Sequence, residues 1–170
     1  MIKIKYAIAI VLLLSLSACG FRMAGKADLD PVFEKTYVGY QGGGREVAAL
    51  LERQFRANDI KTVPEQEADV IVNILYERRD REILAVDEQG KVREFELIMR
   101  VGVVAKSIEG DNYLENQDIR LSRPVLFDIN DVLGSQREQE AIYQEMREDI
   151  SRLIIYRLQT VSSEQTNENG

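Results

Sequence analysis

Glu94 and Glu96 stand at alternate positions of a run that reads as a β-strand, so both carboxylates project from one sheet face. Paired carboxylates are the raw material of general acid–base and glycosidic chemistry. Nothing else in the chain supports such a role. The sequence contains no histidine, which removes the neutral-pH general base, the Ser-His and Cys-His nucleophiles and the commonest zinc ligand. Gly42-Gly43-Gly44 could cradle a phosphate, but no Lys-Ser/Thr follows, and the triplet reads as a turn. With 29 acidic against 22 basic side chains, a formal charge of −7, same-face carboxylates read as solvated charge. The expectation is a protein with no catalytic residue and no metal. The acidic balance also excludes a nucleic-acid binder, and the single cysteine cannot close an intramolecular disulfide.

That cysteine carries the most specific local signal. Lys3 and Lys5 precede an apolar run from Tyr6 to Leu16, and Ser17-Ala18-Cys19-Gly20 follow. A basic start, a short apolar stretch and small residues at its exit describe a secretory signal peptide, and the run is well short of the ~20 residues of a spanning helix. Leu16-Ser17-Ala18-Cys19 resembles the lipobox of bacterial lipoproteins. That resemblance implies removal of residues 1–18 and covalent acyl chains on Cys19, the only modification expected in place of a cofactor. Several chains hold a protein at a membrane stably where one does not. Gly20 behind the cysteine implies delivery to the outer membrane, on its periplasmic side. The mature chain would carry 20 basic and 29 acidic side chains, a formal −9.

Residues 19–34 read as a tether, with Gly20, Gly25 and Asp30-Pro31 as its punctuation. As flexible coil it spans about 20 to 25 Å and keeps the folded part near the membrane. A single α/β domain is expected over 35–161. Thr36 to Tyr40 reads as a short strand, and Val47, Leu50, Leu51 and Phe55 recur at helical spacing up to a stop at Asn58. Ile60 to Val63 could open a strand that Pro64 interrupts. Val70, Val72, Ile74 and Tyr76 alternate, Asp87-Glu88-Gln89-Gly90 closes a hairpin, and Phe95, Leu97, Met99, Val101, Val103 and Ala105 alternate along a long return strand. Ile119, Leu121, Val125 and Phe127 carry a last strand, with Pro124 assigning it to an edge or bulge. Ser135 and Glu138 have capping-box spacing, and a helix is predicted from Gln136 to Thr160. Residues 162–170 contain little to bury and are expected to be disordered. The predicted architecture is a two-layer α/β sandwich, two helices packed on one face of a four-stranded mixed sheet.

Two helices leave the other face open. Alternation places Ile71, Asn73 and Leu75 there from one strand, and Glu94, Glu96, Ile98, Arg100, Gly102 and Val104 from the next. Ile71, Leu75, Ile98, Arg100 and Val104 are therefore candidate partner-surface residues; the other reading is of scattered aliphatics that need no explanation. On the first, Ile98→Asp would weaken a complex while sparing the domain. Ile155 also falls outside the apolar stripe of the second helix.

Several segments together resemble one family, the lipopolysaccharide-assembly lipoprotein LptE. They are Cys19 to Gly25, Gly90 to Met99, Arg123 to Asp128, Val132-Leu133 and Glu138 to Asp149. The resemblance implies a non-enzymatic plug inside a large outer-membrane β-barrel, LptD. Such a plug assists the barrel's assembly and the insertion of lipopolysaccharide into the outer leaflet. Direct contact with that anionic lipid needs local cations, for which Lys91, Arg93 and Arg137 are the candidates. Relatives place basic residues in the hairpin turn and just before the second helix, where this chain has Glu88 and Ser135. The other binding class is a free-standing lipoprotein accessory of a lipid-transport system without a barrel partner.

Overall fold

The computed structural model describes Leu29 and residues 31–168, with side chains to Val161; Cys19 and most of the expected tether lie outside the described residues. Five strands, β1 (Lys35–Tyr40), β2 (Lys61–Thr62), β3 (Val70–Val86), β4 (Val92–Ser107) and β5 (Asn112–Leu126), form one sheet in the order β2-β1-β3-β4-β5. β1 runs parallel to both β2 and β3, and the other pairs are antiparallel. Helices α1 (Arg45–Ala57) and α2 (Val132–Glu168) cover one face. The two-layer α/β reading holds, but the sheet has five strands, not four. The additional strand is the two-residue β2, too short to show an alternation, and Pro64 ends it as the sequence suggests.

The core lies between sheet and helices. Val47, Leu51 and Phe55 of α1 and Met146, Ile150, Ile154 and Leu158 of α2 pack against Val70, Val72, Ile74, Leu97, Met99, Val101 and Val103. Ile155, expected off the apolar stripe, is only 6% exposed and belongs to this core. The folded body also starts before Lys35: Pro31–Glu34 form a 3-10 turn that buries Phe33, whose ring lies 5.0 Å from that of Tyr113.

Helix α2 begins four residues earlier than predicted because Asp131, not Ser135, caps it. Asp131 Oδ1 accepts the Gly134 N–H at 2.9 Å, and its carbonyl accepts that of Ser135. Ser135 Oγ instead accepts the Asp128 N–H, closing the β5–α2 connection. The backbone stays helical to Glu168, through most of the segment expected to be disordered. No proline or glycine interrupts that stretch, and Ser, Glu and Gln continue a helix at small cost.

β3 carries the irregularity that decides the faces. The register passes from Ile74 opposite Val103 to Tyr76 opposite Gly102, leaving Leu75 as a bulge. The triple-glycine turn sits against this bulge. Gln41 N donates to Ile74 O, Glu77 N to Gly42 O, and a Cβ on Gly44 would meet Ile74 Cγ2 at 2.4 Å. Gly42 and Gly43 take φ of 47° and 88°, the left-handed region. Gly44→Ala is therefore expected to lower unfolding free energy by about 1 to 3 kcal/mol, the range for overpacking a tight site. Urea unfolding checks it; an unchanged midpoint would mean that β3 yields freely.

Candidate functional site

Beyond the bulge, alternation continues with its phase reversed. Tyr76, Arg78 and Asp80 join the open face, while Glu77, Arg79 and Arg81 turn toward the helices. Tyr76, predicted as core, lies across Gly102, where a Cβ would stand 2.5 Å from the ring.

The open face therefore differs from the expected one in its occupants. Ile71, opposite Lys106, is half-buried, as are Leu75 and Val104; Arg100 is exposed. Ile98 does share this face, between Asp80 and Ser122, but is 1% exposed and cannot touch a partner directly. Arg100 and Glu96 flank it along β4, and Arg78 and Arg120 stand diagonally across from it on the neighbouring strands. Ile98 is thus a buried residue of the open face, not a surface contact.

The β3–β4 hairpin presents the basic candidates. Asp87 organises its turn by accepting the N–H groups of Lys91 and Gln89 on Oδ1, while Arg93 Nε donates to Oδ2 at 3.0 Å. The Lys91 backbone amide foremost, then that of Gln89 and the Arg93 guanidinium, holds this carboxyl below the usual aspartate range, against a smaller opposing effect of desolvation. Lys91 remains exposed at the tip. Arg93 lines an open groove of about 500 Å³ with Leu126, Phe127 and the first turn of α2. Three carboxylates, Asp128, Asp131 and Glu138, share that groove and oppose an anionic occupant. Arg137 is exposed on α2 but does not line it, so the structure does not gather the three basic candidates into one pocket. The same end of the molecule exposes Ile83, Leu84 and Val86 on β3, and Leu126, Ile129 and Leu133 around the β5–α2 connection.

Sequence reasoning missed an ionic cluster between the layers. Arg147 of α2, with a side chain 1% exposed, donates from Nε to both oxygens of Glu77 at 3.0 and 3.1 Å. Its Nη1 donates to Gln144, and Nη2 lies 2.8 Å from Glu46 of α1 without hydrogen-bond angles. Arg79 joins Glu77 and Glu140 from the solvent side. Burial raises the Glu77 carboxyl above its ordinary range, with Arg79 opposing and Glu46 and Glu140 adding to the rise. A signal existed in the sequence: Arg147 sits four residues from Tyr143, on the buried stripe, where a cation requires a carboxylate. Among the described residues no group of three or more acidic or thiol side chains could hold a metal, and no helix is long and apolar enough to cross a membrane.

Three comparisons bear on this arrangement. The family model described as LptE, lipopolysaccharide-assembly, matches residues 31–158. An LPS-assembly lipoprotein LptE of Photorhabdus laumondii is 25% identical over 146 residues, 85% of this chain and 79% of the relative. Among solved structures, the solution structure of an uncharacterized lipoprotein B from Nitrosomonas europaea superposes with a TM-score of 0.68 at 30% identity. The match covers 86% of this chain and 93% of that one. A rare lipoprotein B from Shewanella oneidensis gives 0.65 at 22% identity, covering 80% and 99%, and shows the shared fold.

Proposed function

The chain belongs to the LptE family of lipopolysaccharide-assembly lipoproteins, which are not enzymes, and from that premise we propose that it plugs and helps assemble a large LptD-like outer-membrane β-barrel. In this role it assists the insertion of lipopolysaccharide into the outer leaflet. The observation that carries the reading is the family match over residues 31–158, which spans both layers of the sandwich rather than one motif.

The surface chemistry supports it. A barrel lumen is polar, and a plug must present a face that is mixed rather than apolar. The uncovered side of the sheet has that character, with arginines and carboxylates interleaved among half-buried aliphatics. The aliphatic end around the β3–β4 hairpin and the start of α2 offers a second contact region, suited to lipid or to an apolar rim. Acyl chains on Cys19, joined through the residues before Pro31, would hold the domain beside its membrane partner, on the periplasmic side of the outer membrane. Lys91, Arg93 and Arg137 stay the proposed lipopolysaccharide contacts, acting from separate places on the surface.

The test is co-purification of the full-length tagged lipoprotein from detergent-solubilised membranes. A large barrel protein in stoichiometric amount is the expected result. Recovery of the lipoprotein alone overturns the plug reading in favour of a free-standing accessory of lipid transport.

A further inference from the structure

One row across the open face holds three arginines. Arg78 of β3 stands opposite Arg100 of β4, and Arg100 opposite Arg120 of β5. With strands ~4.8 Å apart, three guanidinium stems rise within about 10 Å of one another. Like charges directly opposite in a sheet are destabilising, and here they cluster in a chain whose formal charge is −7. Among the described residues only Arg120 of the three has an ion pair, a loose one with Glu96 at 3.8 Å. Arg78 lies 4.8 Å over the Tyr76 ring, and Arg100 has no carboxylate partner among the described residues. The row exists because of the bulge at Leu75. Uninterrupted alternation from Val70 would turn Arg78 toward the helices. Gly102 completes the arrangement by leaving room for Tyr76 beside it.

We propose that this row, with Tyr76, is the docking site for carboxylates on the wall of the barrel partner; the inference rests on the plug reading and assigns a face and a chemistry to it. Tyrosine and arginine are the residue types that concentrate binding energy at protein interfaces, and planar guanidinium groups grip carboxylates in bidentate fashion. Half-buried Leu75 and Val104 lie on the same face and supply apolar area beside the charges. The acidic neighbours favour a protein occupant over a glycolipid. Asp118 stands in the next row on one side and Asp80 on the other, where they repel a headgroup bearing several phosphates. Single carboxylates from a protein wall reach each arginine between them.

The test is a full-length, tagged variant with Arg78→Gln, Arg100→Gln and Arg120→Gln, expressed at the level of the parent. Recovered barrel is expected to fall about tenfold or more, as when even one charge-assisted contact is lost. The thermal midpoint of the purified variant is expected to stay close to that of the parent, since relief of the repulsive row offsets loss of the exposed Arg78–Tyr76 contact and the loose Arg120–Glu96 pair. Unchanged barrel recovery overturns the assignment of the row and leaves the plug reading standing. A lowered midpoint together with lost barrel overturns it in favour of a structural role. Loss of binding to purified lipopolysaccharide with barrel recovery intact overturns it in favour of anionic lipid. A parent protein that brings down no barrel removes the premise, and the proposal with it.

Discussion

Replacing Arg147 by alanine is expected to cost about 3 to 5 kcal/mol of unfolding free energy, the range for deleting one partner of a buried ion pair. The magnitude follows from what is left behind. Glu77, whose side chain is 5% exposed, would keep a charge next to Glu46 and Glu140 with only Arg79 opposing them. Arg147→Met with Glu77→Leu removes both charges at similar volume and is expected to recover most of the loss, because the buried pair itself contributes little net stability. The pH dependence has a defined sign. A carboxyl whose pKa is raised by folding contributes stability at low pH that is lost as pH rises through its folded value. The Glu77 pKa is raised above 4.5 by burial first, and removing the cation 3.0 Å away raises it further. The deficit of Arg147→Ala is therefore largest at neutral pH and shrinks as pH falls toward 4.5. Urea unfolding at pH 7.5 and pH 5 measures both effects, and a deficit below about 1 kcal/mol would show that the cluster relaxes to admit water.

Ile98→Asp is expected to unfold or severely destabilise the protein, reversing what the sequence suggests for this position. Truncating a buried isoleucine to alanine costs about 2 to 5 kcal/mol. Aspartate adds the cost of a desolvated carboxylate, placed opposite Asp80 on the adjacent strand. The comparison with Ile98→Ala isolates that second contribution, and thermal unfolding of the two purified variants measures it. If Ile98→Asp melts with the parent, the side chain is accessible and its place as a partner contact is restored.

Ile98 and Arg147 show where sequence reasoning reaches and where it stops. Period-2 alternation on β4 assigns Ile98 to the open face correctly, because strand geometry alone sets which side a residue leaves the backbone. Its exposure is decided by what surrounds it from the neighbouring strands, and no local pattern reports that. Arg147 is visible as a charge on an apolar stripe, but its partners Glu77 and Glu46 are 70 and 101 positions away in the chain. The basic candidates are similarly divided. Lys91 and Arg93 are read correctly as hairpin residues, while the acidic wall beside Arg93 is assembled from the β5–α2 connection and the first turns of α2.

By itself the sequence determined the two helices, the long hairpin, the absence of histidine chemistry and the resemblance to the LptE family. Each of these is encoded in local periodicity, composition or short motifs. Only the tertiary structure decided the phase of β3 beyond Leu75, and with it which charges are buried between the layers and which stand in a row outside. The physical reason is that the bulge lies against a glycine turn from about thirty residues earlier, which hydrogen-bonds to Ile74 and Glu77 on either side of it. A one-residue slip in a strand exchanges its faces for every position that follows.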